Sequence, residues 1–329
     1  MASCAAGAGV PLTRGDVPPP AVALSEAALS WDRTSASDVA LIVDDYSLAF
    51  FAQGNALSKP LLVSQQAELA TIGAPVDVWL LDDLIAGRVP DYRLYVVVNA
   101  FLLDAKAREV VRNHVSRNGK VVLWVYAPGA LDETASGQTA FELTGVSVGF
   151  VPKIGRLRVK VTDASHPLLD GTPKGLEYGP EEPAGPVFFA MPAKGCEYLG
   201  FINVPSLAAN PPQAFGGLVV RPFDGWTSVY SAAPDVPAVI LRGLARKAGV
   251  HLYLDTGDVV WGNASMLAVH ALTAGDKHVR LRAPAEVHDA VSGEMVAPGA
   301  EEFRVTMQAG ETRIFYIGDP ARFAGEAAQ

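Results

Sequence analysis

Four polar residues stand where apolar runs of the sequence end: Asp44, Asp45, Asn99 and Tyr126. A carboxylate can act as a general base, and an amide or a phenol can orient a substrate through hydrogen bonds. Parallel sheets bind ligands outside the carboxyl ends of their strands, so these residues predict a crevice at that edge. An aspartate directly after a strand is also a common turn former or helix cap, and this structural role is the alternative.

The glycines, histidines and cysteines lack the spacing that phosphate-binding loops and metal sites need. No glycine-rich loop follows the first apolar run, where Asp44-Asp45-Tyr46-Ser47 would repel a phosphate, so no dinucleotide cofactor is expected. The six histidines form no HExxH pattern, and Cys4 and Cys196 form no CxxC pair. We therefore expect neither a metal nor any other cofactor.

Three aromatic residues in the second half of the chain make a carbohydrate an alternative ligand. The rings of Trp226, Tyr253 and Trp261 are large enough to stack on sugar rings. Scattered aromatic side chains also fill hydrophobic cores, so a place in the core is the competing interpretation.

The elements that would position these residues alternate between strand and helix. Continuous apolar runs predict strands that are buried on both faces, and apolar residues at helical spacing predict helices between them. This alternation is typical of a flavodoxin-like parallel sheet with helices on both faces. The predicted strands are 38–45, 76–81, 94–98, 121–126, 227–231 and 250–254, and the predicted helices are 60–72, 104–118 and 235–247. Shorter strands are predicted at 157–161, 199–204 and 217–221.

The pattern changes near residue 258, where short strands follow one another without helices. Five such strands predict a small antiparallel β-sandwich, at 265–270, 278–282, 286–290, 302–307 and 312–317. The expected organisation is a tail or linker at 1–37, an α/β domain at 38–257, the sandwich at 258–318 and a tail at 319–329.

Charge and hydropathy narrow the classes of partner. The 329 residues carry 26 Lys and Arg against 35 Asp and Glu, a net charge of -9, with no basic block. Nucleic acids and anionic membranes are therefore not expected partners. No apolar run reaches the roughly 20 residues that span a bilayer. The first ten residues lack the charged and apolar regions of a secretory signal, which predicts a cytoplasmic protein.

Several stretches resemble one region of glycoside hydrolase family 42 β-galactosidases. The segments 76–84, 92–104 and 119–129 resemble the trimerisation domain that follows the catalytic barrel, as do 226–234 and 248–253. That domain has a fold similar to class I glutamine amidotransferases. Residues 267–271 and 310–315 resemble the small β-domain after it. The resemblance implies this fold and a homo-oligomer, a trimer in the family.

Two departures from these families shape the functional expectation. A catalytic barrel needs about 200–250 residues, whereas 37 residues precede the first predicted strand. The amidotransferase cysteine would fall where this chain has Tyr126-Ala127-Pro128. We therefore expect neither active site, and predict a non-catalytic structural and oligomerisation module that partners itself or a glycosidase barrel subunit. The alternatives are a carbohydrate-binding module, a fragment of a longer glycoside hydrolase acting on β-galactosides, and a small hydrolase with Asp44 or Asp45 as base.

Overall fold

The structure of the protein, a computed structural model, describes residues 24–52, 54–131, 137–163, 165–204 and 215–324. These residues form a large mixed sheet with helices on both faces and a separate small antiparallel sheet, which confirms the predicted fold class. The strands of the large sheet are β1 (Val39–Val43), β2 (Val76–Leu80), β3 (Leu94–Val97), β4 (Lys120–Val125), β5 (Val148–Val151), β6 (Val159–Val161), β7 (Glu177–Tyr178), β8 (Val187–Ala190), β9 (Glu197–Ile202), β10 (Phe215–Phe223) and β11 (Trp226–Ser231). The helices are α1 (Gln65–Ala70), α2 (Leu81–Ile85), α3 (Ala105–Val115), α4 (Gly137–Thr144), α5 (Ala238–Ala248) and α6 (Pro320–Ala324).

Five strands of the large sheet are parallel, in the order β2-β1-β3-β4-β11. β3 and β4 are buried along their whole length because helices cover both faces of the sheet there. This explains why their sequences are continuous apolar runs rather than alternating ones. The parallel order also brings the carboxyl ends of β1, β3, β4 and β11 to one edge of the sheet.

The helices follow the predicted positions with local differences. Asp104 caps α3, since its carboxylate accepts a hydrogen bond of 2.7 Å from the Ala107 N–H. The helix predicted at 60–72 instead begins as a π-helical segment, Lys59–Ser64, and continues as α1. No helix in the described part of the chain combines the length and the apolar character needed to cross a membrane.

The other half of the large sheet is antiparallel. It continues from β11 through β10, β9, β6 and β7. β8 also pairs with β10, and β5 pairs with β8. The strands predicted at 157–161, 199–204 and 217–221 correspond to β6, β9 and β10. β5, β7 and β8 have two to four residues each and lie among glycines and prolines, so no apolar pattern of useful length indicated them.

The small antiparallel sheet has five strands in the order β12-β13-β16-β14-β15. They are β12 (Val259–Gly262), β13 (Met266–His270), β14 (Gly275–Asp289), β15 (Met295–Met307) and β16 (Thr312–Tyr316). The strands predicted at 278–282 and 286–290 form one strand, β14. The pairing with β15 shifts register between Arg280 and Ala285, so the chain bends there and continues.

The strand predicted at 250–254 is wrong, because this segment joins the two sheets instead of extending one. The N–H groups of Tyr253 and Leu254 both donate to the carbonyl of Gly73, at 2.7 and 3.3 Å. The side chains of Tyr253 and Leu254 are buried in the core of the small sheet. Arg282 on the small sheet reaches back to Asp38 at 2.8 Å, which makes a second connection beside the first.

Residues 24–37, predicted as a tail or linker, pack against the small sheet. The indole of Trp31 lies against Tyr316, with ring centroids 4.4 Å apart, and against Phe323 in α6. Ser35 forms a β-bridge with Asn263. Residues near both ends of the described chain therefore share one small aromatic cluster.

Gly73 allows the close contact between the two sheets. It adopts a φ of +90°, and a Cβ there would lie 1.7 Å from the Leu254 carbonyl oxygen. Gly73→Ala should therefore lower the free energy of unfolding by about 3 kcal/mol, combining about 1–2 for the left-handed backbone with about 1–3 for overpacking. Urea unfolding followed by circular dichroism measures this loss.

Gly87→Ala is the matched control for this substitution. Gly87 also has a positive φ, of +70°, but a Cβ there would meet no atom within 4 Å. Only the backbone cost of about 1–2 kcal/mol should remain. Equal losses for the two variants would show that the junction adapts to the added methyl group.

Candidate functional site at the carboxyl edge of the sheet

The structure brings Asp44 and Asn99 together, as the sequence predicted for neighbouring strand ends. The side-chain oxygen of Asn99 accepts a hydrogen bond of 2.8 Å from the Asp44 N–H. Its amide nitrogen donates one of 2.7 Å to the Asp44 carbonyl. Asn99 is fully buried. The amide therefore ties the end of β1 to the end of β3 and is closed to solvent.

The carboxylate of Asp44 points into the protein. It accepts hydrogen bonds from the Ser47 hydroxyl and, at 3.1 Å, from the Tyr46 N–H. Burial raises the pKa of this carboxyl group, although the hydrogen bonds from Ser47 and Tyr46 oppose the rise. Asp44 thus organises the 3-10 turn Tyr46–Phe50, in agreement with the structural alternative, whereas Asp45 is exposed beside it.

Tyr126 occupies the turn after β4 with a φ of +69°, a left-handed conformation that is uncommon for a residue other than glycine. Its ring is buried, and its hydroxyl donates a hydrogen bond to the Pro186 carbonyl. Burial raises the pKa of this phenol well above its ordinary value. The Tyr126 carbonyl accepts a hydrogen bond of 2.8 Å from the Tyr230 hydroxyl, so the residue is fixed at both ends.

An aromatic cavity of about 350 Å³ opens beside these residues. Its wall is a chain of rings in edge-to-face contact, with centroids 5.5 Å apart for Phe51 and Phe101, 6.0 Å for Phe101 and Tyr126, and 5.1 Å for Tyr126 and Phe188. The ring of Phe50 stands at its rim and is 47% exposed. Sequence reasoning missed this wall because its rings come from four separate segments.

A polar cavity of about 510 Å³ adjoins the aromatic one, and Asn55 lines both. Its charged lining groups are Lys59, Glu181, Glu182 and Asp235. The turn after β11 places Asp235 here with a φ of +58°.

Sequence reasoning did not identify Asp235 as a site residue. It placed this aspartate at the start of a helix, whereas α5 begins after Pro237, which is its N-cap. An aspartate between Pro234 and Pro237, directly after a buried strand, is the signal that indicates a turn at this edge.

Asp235 carries a carboxylate oxygen without a partner. Oδ1 is buried and has no hydrogen-bond partner among the described residues. Burial raises the pKa of this carboxyl group, although the nearby Ser64 hydroxyl and the charge of Lys59 oppose the rise. A buried acceptor without a donor is costly, and the burial that leaves this oxygen without a partner also closes it to solvent.

The three aromatic residues considered for sugar stacking do not share one surface. Trp226 is 7% exposed and stacks on Phe223, with centroids 4.7 Å apart. Tyr253 is buried at the junction of the two sheets, where the competing interpretation placed such rings in the core. Trp261 on β12 is 56% exposed and is the one of the three whose ring faces solvent.

Within the described residues no three His, Cys, Asp or Glu side chains converge as metal ligands do. Cys196 is half-buried, and burial raises the pKa of its thiol, which disfavours the reactive thiolate. Among the acidic side chains that the structure describes at this edge, Asp235 is the one with a buried oxygen that lacks a hydrogen-bond partner.

Comparison with solved structures identifies the fold. The chain resembles the β-galactosidase of Bacillus circulans sp. alkalophilus, with a TM-score of 0.63, 17% identity, and coverage of 90% of this chain and 44% of that one. A β-galactosidase of Halorubrum lacusprofundi gives a TM-score of 0.60, 17% identity, and coverage of 90% and 42%. The α-L-fucosidase isoenzyme 2 of Paenibacillus thiaminolyticus gives a TM-score of 0.50, 13% identity, and coverage of 91% and 51%.

At these identities the likeness shows a shared fold, and the chain spans less than half of the length of the two β-galactosidases. No protein-family model and no curated protein matches the sequence.

Removal of the Asn99 amide tests its structural role. Asn99→Ala leaves the buried N–H and carbonyl of Asp44 without partners, each at a cost of about 1–3 kcal/mol, so the free energy of unfolding should fall by about 3 kcal/mol. Asn113→Ala, in the exposed part of α3, is the control and should change stability by less than about 0.5 kcal/mol. A loss below 1 kcal/mol for Asn99→Ala in urea unfolding would contradict this role.

Proposed function

We propose that the chain is a non-catalytic structural and oligomerisation module of the kind associated with β-galactosidase-type glycoside hydrolases. The observation that carries this proposal is the fold, which the chain shares over 90% of its length with part of a β-galactosidase. The β-galactosidases and the α-L-fucosidase are longer chains, and the part that matches this fold accounts for 42–51% of their length. A recurrent accompanying domain is suited to assembly, and a glycosidase barrel subunit is the alternative partner to a second copy.

The carboxyl edge supports a non-catalytic role. The predicted general base Asp44 is directed inward and hydrogen-bonded to its own turn, and Asn99 is committed to the main chain. Tyr126 holds the position of a strand-end nucleophile with its hydroxyl already donated to Pro186. These three residues stabilise the strand ends, and Asp45 has no matching carboxylate in this network.

The edge strand β2 supports an interface on the α/β domain. Within the described residues β2 pairs with β1 alone, so its outer backbone groups are unpaired. Val78 is 51% exposed and Leu80 is 41% exposed, and both lie on the same face of the strand. Unpaired strand edges with apolar side chains readily join another chain. We place the contact between copies here, with the closed cyclic symmetry usual for homo-oligomers, a trimer by the resemblance.

Light scattering at micromolar concentration tests this interface. The chain should have a mass above the 34.6 kDa of one copy. Val78→Lys should weaken association at least about tenfold, because a buried lysine at the contact costs more than the 1.4 kcal/mol that a tenfold change represents. Leu272→Lys is the matched control: Leu272 is 50% exposed but lies in the small domain, so its substitution should leave the mass unchanged. A monomeric wild-type protein would contradict the assembly role.

The absence of catalysis is tested with nitrophenyl β-galactoside. The chain alone should not raise hydrolysis above the buffer rate, because the carboxylates at the strand ends are not arranged as an acid and base pair on a substrate. The control reaction is the chain with Asp45→Asn. Turnover that this or another single carboxylate substitution abolishes would show that the chain is an enzyme.

A further inference from the structure

Two segments of the chain line both the aromatic and the polar cavity, so the two cavities form one crevice. The first segment runs from Phe51 in the aromatic cavity, past Asn55, to Lys59 in the polar cavity. The second runs from Glu182 in the polar cavity to Gly185 in the aromatic one. Because three residues of chain span at most about 11 Å, one small molecule can contact both the rings and the charged groups.

The aromatic cavity presents carbon rather than free polar groups along its wall of rings. The only hydroxyl in that chain of rings, that of Tyr126, is donated to the Pro186 carbonyl. The side chain of Asn55 is engaged by its own loop through both its amide and its oxygen. The cavity volume of about 350 Å³ lies within the range of roughly 300–1,000 Å³ that is usual for small-ligand sites. This half of the crevice is therefore suited to an aromatic ring.

The polar cavity has an excess of negative charge. Its charged lining groups are the ammonium of Lys59 and three carboxylates, those of Glu181, Glu182 and Asp235. The charge of Lys59 acts on Asp235, whose Oδ1 is closed to solvent, so we assign this carboxylate no contact with a ligand. Glu181 and Glu182 are exposed, and neither forms an ion pair with another described residue. Two unpaired carboxylates at one end of a cleft attract a cation.

The cation that fits these two glutamates is organic. In the part of the chain that the structure describes, His, Cys, Asp and Glu side chains nowhere converge in threes as metal ligands do. A hydrated metal ion would also leave the aromatic cavity unfilled. An ammonium group donates hydrogen bonds to carboxylates, and an attached ring covers apolar surface that water would otherwise contact. A single ligand with both groups therefore uses the whole crevice.

We propose that the crevice binds a small arylalkylamine, with its ring in the aromatic cavity and its ammonium group at Glu181 and Glu182. A ligand with a carboxylate or a phosphate in place of the ammonium would meet the negative charge of the polar cavity. A neutral aromatic ligand would leave both glutamates without a partner. The site shares no residue with the predicted surface of Trp226, Tyr253 and Trp261, and the inference holds whether or not the chain assembles.

Isothermal titration of the full chain with tryptamine tests the proposal. Tryptamine should bind with a dissociation constant of about 1 mM or tighter. Indole-3-propionate carries a carboxylate on the same ring system and should bind at least about tenfold more weakly. Butylamine, which has the ammonium group without a ring, should also bind at least about tenfold more weakly. Equal affinity for tryptamine and for either of the other two compounds would overturn the proposal.

Glu181→Gln combined with Glu182→Gln removes the two charges and keeps the length of both side chains. This double variant should weaken tryptamine binding about tenfold or more, because hydrogen bonds between an ammonium and a carboxylate are stronger than those to a neutral amide. Phe50→Ala, at the exposed rim of the aromatic cavity, should weaken it several-fold. The thermal unfolding midpoint of each variant confirms that the chain is folded.

Glu294→Gln combined with Glu301→Gln is the matched control. Both glutamates are exposed on the small sheet, in the turn before β15 and on β15 itself, and undergo the same chemical change. This double variant should leave the dissociation constant unchanged. The proposal is overturned if tryptamine does not bind, or if the two double variants bind it equally well. The assembly role is read separately from the mass of the chain, so failure of one does not imply failure of the other.

Discussion

The parallel pairing of β4 with β11 determines the architecture of the large sheet. All six residues of each strand are buried, and the two strands pair in register from Lys120 with Trp226 to Val125 with Ser231. Because β11 follows β4 by about a hundred residues, the intervening chain must form its own antiparallel half-sheet and return. The same pairing sets the turn after β4 beside the turn after β11. The crevice between Tyr126 and Asp235 exists because these two strands run in one direction.

The sequence predicted the parallel half of this sheet well. β1, β3 and β4 are largely apolar runs that stand out from their surroundings, since a strand buried on both faces needs apolar residues at nearly every position. The antiparallel half was only partly predictable. Its strands are shorter, and their stability comes from partners far away in sequence, such as β8 with β5, rather than from a local pattern. Residues 250–254 show the opposite error, because apolar residues were interpreted as a strand although they lie at the junction between the two sheets.

The sequence predicted where the crevice would lie, at the carboxyl edge of the sheet, but not what its side chains do there. Placing Asp44, Asn99 and Tyr126 at adjoining strand ends needed only the general rule for parallel sheets. What each side chain does there depends on its hydrogen-bond partners, and these lie up to 60 residues away, as with Tyr126 and Pro186. The aromatic wall and the Asp235 turn were missed for the same reason. Their residues come from segments that periodicity does not connect.

The aromatic cluster that joins residues 24–37 to α6 has a consequence for how the chain folds. Arg322 and Ser30, beside this cluster, are in contact across 292 residues. The entropic cost of closing a loop grows only slowly with its length, but contacts of high sequence separation slow folding. The core of the large sheet also includes side chains of α5, so it cannot be complete before that helix has been made, and Trp31 must wait longer, for Tyr316 and Phe323. The indole of Trp31 is therefore without its native partners until the last strand of the small sheet and α6 have been made.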